Sequence, residues 1–187
     1  MTWLFDEATL FNADISNWNV SRVADMKGMF HQAISFNQDI SKWKVSHVTD
    51  MSLMFYDAIS FDNDIADWDV SHVTDMSLMF YEATSFNKNI SEWDVSNVTD
   101  MSSMFNKAAS FAQTLCGRAW IHSTAERRQM FKDSPGSIES TCTKPTDITP
   151  ILFAMVAVIV VLILVLATIA LVLIIKLVKL TRPDCEL

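Results

Sequence analysis

The feature that most constrains this chain is a period of 25 residues that runs without insertion through its first 111 positions. Such self-similarity is typical of repeat architectures, in which each unit buries its apolar face against its neighbours. The period therefore predicts a stack of similar units with a continuous core. The columns that define it are Phe5, Phe30, Phe55, Phe80 and Phe105; Phe11, Phe36, Phe61, Phe86 and Phe111; Trp18, Trp43, Trp68 and Trp93; Val20, Val45, Val70 and Val95; and Met26, Met51, Met76 and Met101.

Each repeat contains one segment with strand-like alternation. In Ile40–Val45, the apolar Trp43 and Val45 alternate with Lys42 and Lys44. Successive side chains of a strand point to opposite faces, so this pattern predicts a short strand with the lysines outward.

A second segment of each repeat has helical spacing. Between Thr49 and Ala58, the residues Met51, Met54, Phe55 and Ala58 fall at i, i+3, i+4 and i+7. The sequence therefore predicts an α/β repeat solenoid like the leucine-rich repeats, with one short strand and one short helix per coil. Its strands would stack into a parallel sheet about 4.8 Å apart.

A recurring motif carries a family resemblance. The run Trp-x-Val-Ser-x-Val-Thr-Asp-Met-Ser-x-Met-Phe occurs at 43–55, 68–80 and 93–105. It resembles the repeat of BspA-type leucine-rich-repeat surface proteins, over residues 1 to about 115. The resemblance implies a solenoid exposed on a cell surface, used for adhesion or recognition and without catalytic residues.

The composition divides the chain into five segments. After Leu115, which still holds the isoleucine column, Arg118 takes the place of the tryptophan. Ser123 to Glu126 has capping-box spacing and predicts a helix that ends near Met130. We therefore predict a solenoid at 1–115, a divergent C-terminal capping coil at 116–133, a Ser/Thr/Pro stalk at 134–150, a transmembrane helix at 151–175 and a short basic tail at 176–187.

The N-terminus falls in the middle of a coil, because Met1 occupies the column of Met26. We expect from this position that Met1 is an internal methionine, with more coils and a signal peptide upstream. The alternative is a short gene copy that is poorly capped.

Residues 151–175 carry no charge and would form a helix about 37 Å long, more than the ~30 Å hydrocarbon core of a bilayer. Lys176, Lys179 and Arg182 follow directly, so the positive-inside rule places the C-terminus in the cytoplasm and the repeats outside. A tail-anchored protein that faces the cytosol is the competing interpretation.

Two further features fit an oxidising, external location. The sequons at Asn19, Asn89 and Asn97 would be glycosylated there in a eukaryotic host, although such triplets also arise by chance in these repeats. Cys116 and Cys142 flank the capping coil, and a disulfide between them would pin it. Two free thiols are the alternative.

Candidate catalytic groups are explained more simply by the fold. Ser46–His47 and Ser71–His72 are each followed by an aspartate three residues after the histidine, but other repeats lack the histidine while keeping Ser and Asp. Recurring Ser and Asp satisfy backbone groups at turns. We therefore expect no enzyme activity, no cofactor and no metal. A formal net charge of −8 argues against nucleic acid as a partner.

The variable columns are the informative ones, because packing does not dictate them. A partner would then select them, and we predict a membrane-anchored surface protein that binds a protein or glycan without catalysis. The alternatives are a structural coat or wall-layer protein, or an intracellular scaffold. The candidate partner face comprises Asn17, Asn19, Arg22, Lys42, Lys44, His47, Asp67, Asp69, His72, Glu92, Asp94 and Asn97.

Overall fold

The computed structural model describes residues 1–140 and 170–177. Residues 1–140 contain strand β1 (Thr114–Leu115), helix α1 (Arg118–His122) and strand β2 (Ser137–Ile138). The two strands pair in parallel and form a two-stranded sheet. The remainder of residues 1–140 is turn and irregular backbone, apart from isolated single-residue bridges.

The chain divides into two compact units, Met1–Cys142 and Thr143–Leu187. In the second unit, residues 170–177 are helical and exposed. In the first compact unit, the 25-residue repeats lie one on another. Parallel bridges link their equivalent residues in succession: Asp25, Asp50, Asp75, Asp100 and Glu126. We number the regular repeats 1 to 4, for residues 11–35, 36–60, 61–85 and 86–110.

The predicted α/β solenoid, with one strand and one helix per repeat, is wrong. Among the described residues, the only strands are the two-residue β1 and β2, and α1 is the only helix in the first unit. This unit is a domain built mainly of turns. The buried columns were predicted correctly, but the secondary structure that presents them was not.

The segment predicted as a helix, 49–58, instead bonds to the next repeat. In repeat 2 the N–H groups of alternate residues donate to carbonyls 24 residues further on, so they are unavailable for bonds to the carbonyl four residues back. Leu53 and Asp57 also have φ of 60° and 53°, in the left-handed region that an α-helix excludes. The four bonds run from Met51 to Asp75, Leu53 to Ser77, Phe55 to Met79 and Asp57 to Tyr81.

The segment predicted as a strand, 40–45, contains turns. The N–H of Trp43 donates to the carbonyl of Ile40, which bends the chain locally. Within residues 1–140 no backbone hydrogen bond joins this segment to its equivalent in the next repeat. Indole groups connect the repeats here: Trp43 Nε1 donates to the carbonyl of Ile15 at 3.2 Å, and Trp68 Nε1 to that of Ile40 at 3.1 Å.

Two ladders of phenylalanine rings form the centre of the core. Rings of the Phe30 column are stacked 5.5 to 5.6 Å apart, and those of the Phe36 column 5.8 to 6.0 Å apart. From Phe30 to Phe111 both columns are fully buried. Burying one such side chain contributes about 1.5 to 3 kcal/mol, so the ladders stabilise the stack repeat by repeat.

Asparagine and aspartate make the turns that glycine would otherwise make. In each regular repeat, side-chain oxygens accept the N–H of the residue two positions later, as Asp39 does from Ser41 and Asp50 from Ser52. A second polar column links the repeats, because each side-chain oxygen accepts the N–H one repeat further on. This ladder consists of Asn12, Asn37, Asp62 and Asn87, with distances of 2.9 to 3.0 Å.

The last unit, which is the segment after repeat 4 that was predicted as a capping coil at 116–133, differs from the sequence prediction in two respects. Trp120, not Arg118, occupies the tryptophan position, since its Nε1 donates to the carbonyl of Ile90 at 3.1 Å. The helix is α1, and Glu126 continues the bridge column where a helix was predicted. The two additional residues between Leu115 and the tryptophan are accommodated by α1. Residues 134–140, expected to begin a stalk, include β2, which pairs with β1.

The predicted single-pass membrane location is contradicted. No helix within residues 1–140 or 170–177 combines the length and the apolar character needed to cross a bilayer. Residues 151–169 of the predicted span lie outside the described residues.

Candidate partner-binding face

The candidate residues occupy equivalent positions on successive repeats, and all twelve are exposed. In repeat 2, exposed Lys42 and Lys44 alternate with buried Trp43 and Val45. The predicted inward and outward alternation is therefore present although no strand forms. We call these twelve residues the variable face.

A groove of about 670 Å³ crosses this face between repeats 2 and 3. Its lining includes the charged side chains of Lys42 and Lys44 from one repeat and Asp67 and Asp69 from the next. A cavity of this size lies within the range of about 300 to 1,000 Å³ that is usual for small-molecule sites.

The charge of the variable face changes sign along the stack. Repeat 1 contributes Arg22 and repeat 2 two lysines, whereas repeats 3 and 4 each contribute two carboxylates. The three ion pairs in the described part of the chain all lie elsewhere: His31–Asp6, Lys88–Asp62 and Lys107–Glu82. Among the described residues, the charged side chains of the variable face therefore take part in no ion pair.

Local hydrogen bonds lower the pKa of two of these carboxyl groups. The hydroxyl of Ser71 donates to Asp69 Oδ1 at 2.6 Å and its backbone N–H at 3.2 Å, and both bonds lower the pKa of Asp69. Hydrogen bonding by Ser96 lowers the pKa of Asp94 in the same way. A carboxylate that accepts such bonds is stabilised in its charged form.

Comparison with protein families assigns the repeats. A family model described as "Mycoplasma protein of unknown function, DUF285" matches residues 1–71 and 46–141. The chain belongs to this family. It is a BspA-like repeat family, so the resemblance noted in the sequence is confirmed at the level of the repeat. No significant match was found among curated proteins or among solved structures.

A second cavity, of about 650 Å³, lies where repeat 4 of this DUF285 member meets the last unit. Arg118 and His122 of α1, one helical turn apart, line it together with Ser123 and Thr124. Asp94 and Ser96 of repeat 4 also contribute. Sequence reasoning missed this site because it aligned Arg118 with the tryptophan column.

The candidate catalytic sets are not assembled. Ser46 Oγ and His47 Nδ1 are 3.5 Å apart, but the nearby carboxylate of Asp50 accepts from Ser52 instead. The equivalent groups of repeat 3 behave likewise, with Ser77 bound to Asp75. The absence of enzyme activity stays a prediction.

Two sets of residues on the variable face carry side chains of the kinds that bind metals: His47 with His72, and the carboxylates of repeats 3 and 4. Within residues 1–140 and 170–177, no group of three or more His, Cys, Asp or Glu side chains is arranged to hold a metal ion. That the chain binds no metal stays a prediction.

An aromatic column on another surface was also missed. The rings of His31, Tyr56 and Tyr81 follow one another with centroids 4.7 Å apart, and Lys107 Nζ lies 5.2 Å from the Tyr81 ring. Burial raises the pKa of Tyr56. The 25-residue spacing of the tyrosines was the available signal.

The modification sites stay predictions. Asn19, Asn89 and Asn97 are exposed, and the Nδ2 of Asn97 donates to the carbonyl of Ser71 at 2.7 Å. Cys116 is disulfide-bonded. Cys142, its predicted partner, lies outside the described residues.

Proposed function

We propose that this DUF285 member binds a macromolecular partner, a protein or a glycan, through the variable face and performs no chemistry on it. One observation carries the proposal: the buried columns are nearly the same in every repeat, while the exposed positions beside them differ in size and sign. Repeat scaffolds commonly present extended recognition surfaces in this way.

The backbone of the groove supports the same function. Within residues 1–140, the N–H and C=O groups of Lys42 and Lys44 have no hydrogen-bond partner in the protein, and the same is true of Asp67 and Asp69. Exposed backbone groups of this kind bond to water until a ligand replaces it. The groove therefore offers hydrogen-bond donors and acceptors together with side-chain charges of both signs.

This arrangement suits an extended, polar ligand more than a compact apolar one. The charges of the groove set orientation and association rate, because opposite signs lie on its two sides. Trp43 and Val45 form part of its lining but are buried, so they offer little apolar contact area. Affinity should accordingly fall as ionic strength rises.

The test is selection of ligands on the purified full chain, with a random peptide library and a glycan array in parallel. Ligands are then retested on a face variant that combines Lys42→Ala, Lys44→Ala, Asp67→Ala and Asp69→Ala. The matched control removes four charges elsewhere, through Asp62→Asn, which keeps the acceptor for the N–H of Asn87, and through Lys88→Ala, Glu82→Ala and Lys107→Ala. Both variants leave the net charge unchanged.

The expected result is loss of affinity by roughly tenfold or more in the face variant, since charged hydrogen bonds contribute about 1.5 to 3 kcal/mol each. The control variant should bind as the original chain does. Failure to select any ligand, or equal binding by both variants, would refute the proposal. Self-association of the chain in the same assays would instead favour a structural layer.

A further inference from the structure

The cavity beside α1 exists because the last unit departs from the repeat. In regular repeats the isoleucine and the tryptophan are three residues apart, as in Ile90 and Trp93, but Leu115 and Trp120 are five apart. Trp120 still reaches the carbonyl of Ile90, so the extra residues are displaced outward as α1. Arg118 and His122 thereby come to line the cavity.

Hydrogen bonds from Arg127 hold α1 in position. The guanidinium of Arg127 donates to the carbonyls of Trp120 and Ser123 at 2.6 and 2.9 Å. These bonds satisfy carbonyls at the C-terminal end of the helix, which would otherwise lack partners. The two side chains that face the cavity are therefore presented by an anchored element.

The polar groups of the cavity are of two kinds. Arg118 and His122 make no ion pair or hydrogen bond through their side chains within residues 1–140, so their donors are available. Hydroxyls of Ser123 and Thr124 also line the cavity, and Asp94 of repeat 4 supplies a carboxylate acceptor. An arginine fork matches a carboxylate, and a carboxylate such as Asp94 accepts hydrogen bonds from sugar hydroxyls.

From this set we infer that the cavity binds an acidic sugar residue, with the sugar carboxylate on Arg118 and His122 and its hydroxyls on Asp94 and the neighbouring Ser and Thr. This inference rests on the proposed function and narrows its ligand to an acidic glycan. Asp94 belongs to both the cavity and the variable face, so a longer glycan would continue from the cavity onto repeat 4.

The test titrates the full chain separately with glucuronate, glucose and acetate. Binding is measured by NMR or calorimetry. Glucuronate should bind at least about tenfold more tightly than either, because only it carries both the carboxylate and the hydroxyls. Arg118→Ala should weaken glucuronate binding by roughly tenfold or more. Arg128→Ala is the matched control, since Arg128 is exposed, carries the same charge and does not line the cavity.

Equal affinity for glucuronate and glucose would overturn the inference, as would equal losses in the two arginine variants. Equal binding of acetate and glucuronate would show that the cavity takes any small carboxylate, and would overturn it too. If the glucuronate titrations failed but ligands selected on the variable face still bound, the acidic-sugar site would be refuted. The proposed function would remain intact. Both arginines are exposed, so each variant should keep the thermal stability of the original chain.

Discussion

The two sides of each repeat are held together by different bonds. On one side, at residues such as 51–57, four backbone N–H groups per repeat donate to the next repeat. On the other side, at residues such as 40–45, the connection is a single indole bond and the backbone is otherwise open. We call the first the ladder side, after its ladder of backbone hydrogen bonds, and the second the open side.

On both sides the inward positions repeat and the outward positions vary, as Gln32, Asp57 and Lys107 do on the ladder side; what differs between the sides is whether the backbone is bonded to the next repeat. On the ladder side, bonding and the left-handed residues fix the backbone, and the Met, Phe and Ala positions repeat almost unchanged. On the open side, only the inward Trp and Val are required by packing. The outward positions between them carry Asn, Lys, Asp or Glu, which is the property that a recognition surface needs.

The largest expected effect is on the ladder side. Phe55 is fully buried between Phe30 and Phe80, with Phe61 only 3.9 Å away between centroids. Phe55→Ala should lower the free energy of unfolding by about 3 to 5 kcal/mol, because it leaves a cavity in one phenylalanine ladder and beside the other. Urea denaturation measures this. Phe11→Ala, at a half-buried ring, should cost clearly less; equal losses would contradict a core that is continuous through the repeats.

The bond that connects the open side should have the next largest effect. Trp68→Phe removes the donor to the buried carbonyl of Ile40 while keeping an aromatic ring, and should cost about 1 to 3 kcal/mol. Trp18→Phe is the control, since the indole of Trp18 has no hydrogen-bond partner in the described residues and its side chain is exposed. A similar loss in both variants would show that ring volume, not the indole bond, holds the repeats together.

The polar ladder should contribute less. Asn37 Oδ1 accepts from the N–H of Asp62 at 3.0 Å and from Asn63 Nδ2 at 2.8 Å. Asn37→Ala should therefore lower the free energy of unfolding by about 0.5 to 1.5 kcal/mol, the usual contribution of a hydrogen bond. Asn37→Asp keeps the acceptor, as Asp62 does in the next repeat, and should be nearly neutral. If aspartate destabilised as much as alanine, the ladder would not depend on the acceptor oxygen.

Lowering the pH should have a smaller effect on the stability of the fold. Protonation should destabilise it through the carboxylates of the open side and stabilise it through Asp57 on the ladder side. The lowered pKa values of Asp69 and Asp94 mean that they stabilise the fold above their ordinary pKa of 3.8, and that this contribution is lost as pH falls through the lowered values. On the ladder side, burial and then Glu82 raise the pKa of Asp57, so its ionisation opposes folding as pH rises through the raised value.

Thermal melts across this acid range measure both effects. An Asp69→Asn, Asp94→Asn double variant should lose part of the destabilisation seen below pH 3.8, because asparagine accepts the same backbone N–H without titrating. Asp57→Asn should raise stability at neutral pH. Unchanged acid dependence in the double variant would show that these carboxylates are not stabilised by their serine neighbours.

The sequence predicted the core well and the backbone poorly, for one physical reason. Spacing of i, i+3, i+4 and i+7 marks positions that face inward, and Met51, Met54, Phe55 and Ala58 are indeed buried. A chain of turns with left-handed residues at Leu53 buries the same positions, and periodicity cannot distinguish it from a helix. Left-handed backbone at a leucine has no compositional signal, unlike Gly28, where the repeat uses glycine.

The candidate site was predictable only where the repeat is regular. The variable face could be read from the exposed positions beside Trp43 and Val45, because alternation decides burial even without a strand. The cavity beside α1 depends on an insertion whose accommodation is a three-dimensional outcome. The only clue in the sequence was that Trp120 lies two residues after the position at which the 25-residue period predicts a tryptophan.

Residue-resolved amide hydrogen exchange of the native chain tests the division into two sides most directly. The amides of Met51, Leu53, Phe55 and Asp57 should be strongly protected, whereas those of Lys42 and Lys44 should exchange nearly as fast as in an unfolded chain. Equal protection on the two sides would contradict the account, because the open side would then be bonded as the ladder side is. It would also remove the free backbone groups on which partner binding is proposed to depend.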